Sequence, residues 1–176
     1  AREDNTYNIS SQDLVNKINS LGKKALYISD FNNISNYLKN HEGSAVAAVK
    51  VSDSVTSIGS RAFANCYSLK ELNLGKNTES VGDGLLSSQE YKTPMSITKL
   101  ILPDNLKAIG DNTYGYNDRY QTAVSVLEIS ADAETVPSVF YNRATLSEIN
   151  VAEGNKNYSS DKGVLYTADK KELIKV

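Results

Sequence analysis

Cysteine and histidine, two side chains that often carry out catalysis, are nearly absent from this 176-residue chain. The chain has a single cysteine, Cys66, and a single histidine, His41. One cysteine excludes an intrachain disulfide and a multi-cysteine metal site, and one histidine excludes a histidine cluster around a metal. Because no nucleophile and base are spaced to act together around His41, the sequence predicts no catalytic residue, no metal site and no cofactor.

The acidic and glycine-rich stretches also lack the spacing that chemistry requires. The segment "DNTYGYND", residues 111–118, mixes carboxylates and amides as calcium loops do, but its spacing is not that of an EF-hand, and a solvated loop is expected. Gly82-Asp83-Gly84 is half of a phosphate-loop pattern, but it does not lie between a buried strand and a long helix. The segment is therefore interpreted as a turn. Asp132 and Glu134 form a pair of carboxylates such as hydrolases use, but no neighbour in sequence would shift the pKa of either one. The sequence therefore does not support a hydrolase.

Composition narrows the class of protein further. Hydrophobic residues make up 40% of the chain and charged residues 23%, so a packed core is expected. The net charge of −2 argues against a surface for nucleic acid or anionic membrane, which needs a basic excess. No run approaches the length of a membrane-spanning helix. The chain begins with Ala1, as expected of a processed protein or of a fragment.

A repeat organises most of the chain. Apolar residues recur at positions i, i+3, i+5 and i+12, usually followed by glycine, in five units that start at Val46, Leu69, Ile97, Val124 and Leu146. The starts lie 23, 28, 27 and 22 residues apart, a period typical of a leucine-rich solenoid. Positions i+3 and i+5 are expected to point inward from one short strand, position i from the corner before it, and i+12 from the opposite wall. Glycine at i+13 is expected to let the backbone bend.

The segments "VTSIGSRAFANCYSLKELNLGKN" and "ITKLILPDNLKAIGD" resemble the BspA-like leucine-rich repeat, found in bacterial surface proteins. The segment "GNKNYSSDKGVLYTADKKELIKV" resembles a variant unit of the same family, and the resemblance covers residues 46–176. Units two and three replace the Ala-Phe of the family pattern with Leu85-Leu86 and Thr113-Tyr114, and unit four has Pro137 in place of glycine. Cys66 occupies the family's cysteine position; it could be a reactive thiol, and a small buried core residue is the favoured interpretation.

The fold class predicted is α/β: a right-handed leucine-rich repeat solenoid with a short parallel sheet of five or six strands. Residues 1–45 are interpreted as an N-terminal helical cap, with one helix beginning at Ser10 and a second from Asn33 to Gly43 that includes His41. Leu26 and Ile28 lie 23 residues before Val49 and Val51, as expected of a degenerate first repeat. A separate small domain is the alternative. Residues 46–176 form the repeat domain and end in a β-hairpin, which either closes the core or precedes more repeats.

Two surfaces are candidates for binding. Positions i+2 and i+4 should point outward from the strands, and the binding residues predicted there are Lys50, Glu71, Asn73, Lys99, Ile101, Val126, Glu128, Glu148 and Asn150. Units two and three are four to five residues longer than their neighbours, and these insertions supply residues favoured in binding hot spots: Tyr91, Tyr114, Tyr116, Arg119 and Tyr120. The alternative interpretation is that these outward residues only stabilise the pairing of neighbouring strands, as a Glu71–Lys99 pair would.

The family resemblance implies a non-catalytic module that binds a protein ligand, from a secreted or surface-attached bacterial protein, with no nucleic-acid partner. A monomeric module is expected. Two alternatives stay open. One is a spacer or stalk unit without a ligand of its own, and the other is a catalytic or carbohydrate-binding module in which stacked tyrosines hold sugar rings.

Overall fold

The computed structural model describes residues 6–7, 25–28, 47–53, 55–88, 94–116 and 121–175. Within these ranges the chain is almost entirely strand and turn. In chain order the elements are β1 (Thr6–Tyr7), β2 (Ala25–Ile28), β3 (Ala48–Val51), β4 (Ser57–Ile58), β5 (Glu71–Asn73), β6 (Ser80–Val81), β7 (Ser96–Ile101), β8 (Ala108–Ile109), β9 (Ala123–Ile129), α1 (Ser138–Tyr141), β10 (Glu148–Val151), β11 (Tyr158–Asp161), β12 (Val164–Thr167) and β13 (Leu173–Lys175).

The main sheet is parallel, and one strand from each repeat builds it. Its described strands follow the order β1-β2-β3-β5-β7-β9-β10. The pairing confirms the register read from the sequence, because the i+3 residues align in one row across five strands and are all buried: Val49, Leu72, Leu100, Leu127 and Ile149. Leu26 pairs with Val49 and Ile28 with Val51, which is the register expected of a repeat before the first unit.

A second parallel sheet forms the opposite wall of the coils. Strands β4, β6 and β8 lie side by side, and Ile58, Val81 and Ile109 pair along one row. These are the i+12 positions of the first three units. The core fills the space between the two sheets, where Ile58 and Val81 meet the i+3 row. Each coil is too thin to enclose this apolar set by itself, so stacking on its neighbours is what removes it from water.

Glycine is needed at i+13 for a different reason from the backbone bend that the sequence suggests. Neither Gly82 nor Gly110 has a left-handed φ. A Cβ on Gly82 would lie 2.5 Å from the Ser60 hydroxyl oxygen and 2.7 Å from the Ser60 Cα in the preceding coil. A Cβ on Gly110 would lie 2.5 Å from the carbonyl carbon of Gly82. The missing side chain therefore lets successive coils come into backbone contact.

The bend of each coil comes two residues later, at i+15. There the backbone is left-handed in the first three units, with φ of 57° at Arg61, 62° at Gly84 and 55° at Asn112. Glycine and asparagine reach this region readily, whereas a long side chain such as that of Arg61 does so at a cost. In the fourth unit the helix α1 replaces this bend after Pro137.

The fifth unit replaces the aliphatic i+12 residue by Tyr158, and the structure supplies the reason. The Val136 backbone N–H donates to the Tyr158 hydroxyl oxygen at 3.2 Å. Tyr158 thus fills the apolar position with its ring and satisfies a backbone donor of the neighbouring coil with its hydroxyl.

The predicted C-terminal hairpin is confirmed and is part of a larger unit. Strands β12 and β13 are antiparallel, and β11 adds a third strand to their sheet. This sheet lies along the edge of β10, where the Ile149 N–H donates to the Gly163 carbonyl oxygen at 2.9 Å and the Val151 N–H to the Ser160 hydroxyl oxygen at 2.8 Å. It therefore covers the edge of β10 that faces away from β9.

Two parts of the fold prediction need comment. The main sheet has seven strands among the described residues, so five or six was too low, because β1 adds a strand before the first recognised repeat. The helices predicted around Ser10 and from Asn33 to Gly43, with His41, lie outside the described residues. The division at residue 45 and the right-handed sense of the solenoid stay predictions.

The contact between coils predicts a strong position dependence for glycine substitution. Gly110→Ala should lower the free energy of unfolding by about 2–4 kcal/mol, because its Cβ meets the neighbouring backbone. Gly154→Ala is the matched control: its φ is 90° but nothing lies within 4 Å of the added Cβ, so only about 1–2 kcal/mol of backbone strain is expected. Urea denaturation followed by circular dichroism measures both, and equal losses would contradict the role given to coil contact.

Candidate functional site

The outward residues of the main sheet align in two rows, as their spacing predicts. We call them together the strand face: Ala48, Glu71, Lys99, Val126 and Glu148 in one row, and Lys50, Asn73, Ile101, Glu128 and Asn150 in the other. Lys50, Glu71 and Glu148 are exposed and the other members are half-buried. Ile101 and Val126 therefore form a partly covered apolar centre with charged residues on either side.

Two amides of the strand face are held by hydrogen bonds. The Asn150 side-chain amide donates to a Glu128 carboxylate oxygen at 3.2 Å, and the Asn73 side-chain carbonyl accepts from the Gly75 N–H at 2.9 Å. These bonds restrict the rotamers of side chains that a ligand would meet. A face that is ordered before contact loses less conformational entropy on binding.

Glu71 and Lys99, two charged residues of the strand face, do not neutralise each other. Glu71 and Lys99 are register partners on β5 and β7, yet these two described side chains form no salt bridge. The ion pairs seen lie elsewhere, between Lys107 and Glu79 at 3.1 Å and between Lys171 and Asp169 at 3.7 Å. A cross-strand salt bridge therefore does not explain why charged residues occupy positions 71 and 99.

The structure corrects the second candidate surface at Tyr114. This side chain is 3% exposed, because it fills the outer wall where the family pattern has Phe. Its hydroxyl donates to the Phe140 carbonyl oxygen at 3.3 Å, and its ring meets the Phe140 ring edge-on. Burial raises the pKa of the Tyr114 phenol, and the Arg143 guanidinium, 4.6 Å from the ring centroid, opposes that rise. Tyr114 is thus a core residue and cannot contact a ligand.

Tyr116, two residues later, is in contrast 58% exposed. The Arg61 guanidinium lies 5.8 Å from its ring centroid. The sequence pattern does not indicate the contacts of Arg61 with Tyr116 or of Arg143 with Tyr114, because each contact crosses from one coil to another. Tyr91, Arg119 and Tyr120, the other residues predicted for this surface, lie outside the described residues.

Cys66 has the structural role that its position in the repeat favours. The side chain is buried, and its thiol lies 3.7 Å from the Ala64 carbonyl oxygen. Burial raises the pKa of the Cys66 thiol to about 12, so the thiolate that would act as nucleophile is scarce at neutral pH.

The described ranges contain no candidate metal site and no candidate membrane-spanning helix. No three His, Cys, Asp or Glu side chains come together there in a way that could hold a metal ion. In the same part of the chain, no helix has both the length and the apolar character needed to cross a bilayer.

The fold and its surfaces define a class of protein, and sequence comparison identifies it. Residues 34–162 match the BspA type leucine rich repeat region, in six copies. The chain therefore belongs to the BspA-type leucine-rich repeat family. A search of the curated proteins found no match.

Two solved structures are similar to the chain. One is the pneumococcal vaccine antigen PcpA, with 19% identity and a TM-score of 0.40 over 73% of this chain and 36% of that one. The other is a leucine-rich repeat protein from Eubacterium ventriosum ATCC 27560, with 22% identity and a TM-score of 0.46 over 98% of this chain and 46% of that one. The chain thus spans less than half the length of either protein.

The environment of Cys66 predicts that its thiol is unreactive in the folded protein. With the pKa at about 12, the thiolate fraction stays small until well above pH 10, whereas an exposed cysteine ionises near pH 8.5. We expect a colorimetric disulfide reagent at pH 8 to label Cys66 at least about a hundredfold faster in denaturant than in buffer. Fast labelling of the folded protein would contradict the buried position.

Proposed function

We propose that this chain is a non-catalytic binding module whose ligand is a protein, and that the strand face makes the contact. The observation that supports this proposal most directly is the arrangement of side chains on the strand face. It combines a partly covered apolar centre, Ile101 and Val126, with charges at Glu71 and Lys99 that form no salt bridge with each other. An apolar centre within a polar rim is the usual anatomy of a protein interface.

The rigidity of the scaffold fits this role. Five consecutive strands of the sheet share one register, and the side chains beneath the strand face are fully packed, as at Leu72, Leu100 and Leu127. A packed interior resists deformation, so the face is presented without a conformational change. Family membership supports the same function, because leucine-rich repeats present their strands to protein partners, and it favours a secreted or surface-attached bacterial protein.

The two alternatives differ in what they require of the strand face. A spacer unit makes no contact through the strand face, so substitutions on this face would leave the set of retained partners unchanged. A carbohydrate module based on stacked tyrosines loses one of its rings, because Tyr114 is buried in the outer wall. Of the two tyrosines of this surface that the structure describes, Tyr116 is exposed and Tyr114 is not, so these two do not form a stacked pair for a sugar ring.

Binding through the strand face can be tested with host extracellular-matrix extracts. We expect wild-type protein to retain partners that the Ile101→Asp, Val126→Asp double variant loses, because two buried charges would be introduced at the centre of the interface. The matched control is Leu173→Asp, which makes the same chemical change at a side chain 55% exposed on β13, outside the sheet that carries this face. Identical partner lists from quantitative pull-downs of wild type and double variant would overturn the proposal.

Because Ile101 and Val126 are half-buried, the double variant can lose stability as well as binding. A second variant separates the two effects. Glu71→Lys with Glu148→Lys reverses two exposed charges without touching the core. For any partner recovered with wild type, we expect affinity to fall by about tenfold or more, at unchanged melting temperature, as measured by surface plasmon resonance. Unchanged affinity for every recovered partner would contradict the strand face as the contact surface.

A further inference from the structure

One row of the strand face changes its polar character from one end of the sheet to the other. Five neighbouring strands contribute one residue each, and we call these residues the i+4 row: Lys50, Asn73, Ile101, Glu128 and Asn150. A cation stands at the β3 end, an aliphatic side chain in the middle and a carboxylate on β9. The two asparagines lie on opposite sides of the middle, and their hydrogen bonds decide what each adds to its side.

Each asparagine is fixed in one orientation. The Asn73 side-chain oxygen accepts from the Gly75 N–H at 2.9 Å, and since a backbone N–H can only donate, the Asn73 amide group is left to donate outward. Asn150 has the reverse arrangement, because its amide group donates to a Glu128 carboxylate oxygen at 3.2 Å and its carbonyl oxygen is left to accept. The row therefore presents donors on β3 and β5 and acceptors on β9 and β10.

These groups are open to a partner. Lys50 is exposed and the other four members of the row are half-buried. The Asn73 amide nitrogen donates to no described residue and is not among the buried polar atoms. The Glu128 carboxylate forms no salt bridge with a described cation. Donors and acceptors are thus available at the surface on either side of Ile101.

We propose that the i+4 row binds an extended peptide segment of a partner protein that carries a carboxylate, an apolar side chain and a basic side chain, in that order along the row. This inference rests on the proposed function of the strand face. The carboxylate accepts from Lys50 and Asn73. The apolar side chain covers Ile101, and the basic group donates to Glu128 and Asn150. A segment with charges of one sign places like charges together at one end of the row, which disfavours it.

The spacing of the strands fits such a segment. Neighbouring strands lie about 4.8 Å apart, so Asn73 and Glu128 are separated by about 10 Å, and Lys50 and Asn150 by about 19 Å. Alternate side chains of an extended chain share one face and recur about every 6.8 Å. Three side chains at alternate positions therefore span about 14 Å, between these two separations, so five residues are enough to reach both ends.

The test uses three blocked pentapeptides that differ only in their end residues. The first, acetyl-Asp-Ala-Leu-Ala-Lys-amide, has both signs, and the controls have aspartate at both ends or lysine at both ends. In NMR spectra we expect the first to shift the side-chain amide signals of Asn73 and Asn150 saturably in the millimolar range. It should bind at least about fivefold more tightly than either control at equal ionic strength.

Three results would overturn the assignment. One is equal affinity for the three peptides, and another is the lack of a saturable shift with the first peptide. The third is a free protein whose own signals move with its concentration through the i+4 row, because a second copy would then be the occupant.

Two variants test the direction of the row. Asn73→Asp keeps the oxygen that accepts from Gly75 and replaces the donor by a carboxylate, so preference should move to the peptide with two lysines. Glu128→Lys should move preference to the peptide with two aspartates, each shift being about fivefold or more. A purely structural role would not move preference in opposite directions. The control Glu172→Lys changes an exposed residue outside the main sheet and should keep the wild-type order of affinities. Retention of that order by both test variants would contradict the proposal.

This inference and the proposed function can fail separately. If the Ile101→Asp, Val126→Asp variant loses matrix partners while the three peptides bind alike, the strand face remains the contact surface and only the polarity of the i+4 row is overturned. If the partner lists are identical while the peptides show the expected preference, the row binds its segment and the retention of matrix partners through this face is overturned.

Discussion

The close approach of one coil to the next is the constraint on which the rest of this structure depends. Backbone hydrogen bonds cross between coils on both walls, as where the Gly82 N–H donates to the Ile58 carbonyl oxygen and the Gly110 N–H to the Val81 carbonyl oxygen, each at 2.9 Å. At that spacing a Cβ on Gly82 or Gly110 has no room, whereas the fourth and fifth units carry Pro137 and Ser159 at i+13. Gly82 and Gly110 therefore allow the close spacing at which the apolar rows of the first three units pack over the core.

Regular stacking also explains how units that depart from the pattern are accommodated. Tyr158 and Tyr114 each replace a smaller or fully apolar residue, and each uses its hydroxyl to reach a backbone group of a neighbouring unit. Tyrosine is suited to this because its ring is apolar and its tip is polar. The repeat thus tolerates variation in its walls as long as buried polar groups find partners in the next coil.

The same stacking creates two surfaces of different character. On the strand face the spacing of the strands fixes the side chains in rows, which gives a broad and ordered surface around Ile101 and Val126. At the bends the coils meet through their turns, where residues from three units gather around Gly84.

The sequence by itself determined the repeat, the inward rows and the hairpin, because burial of apolar residues at fixed offsets depends only on the period of the chain. It also indicated which residues line the strand face. Tertiary structure alone decided that Tyr114 is buried, that the glycines at i+13 serve coil contact, and that Arg61 lies against Tyr116 some 55 residues away. These outcomes depend on which side chains meet between coils, and distances between coils are set by packing in three dimensions, which a one-dimensional pattern does not encode.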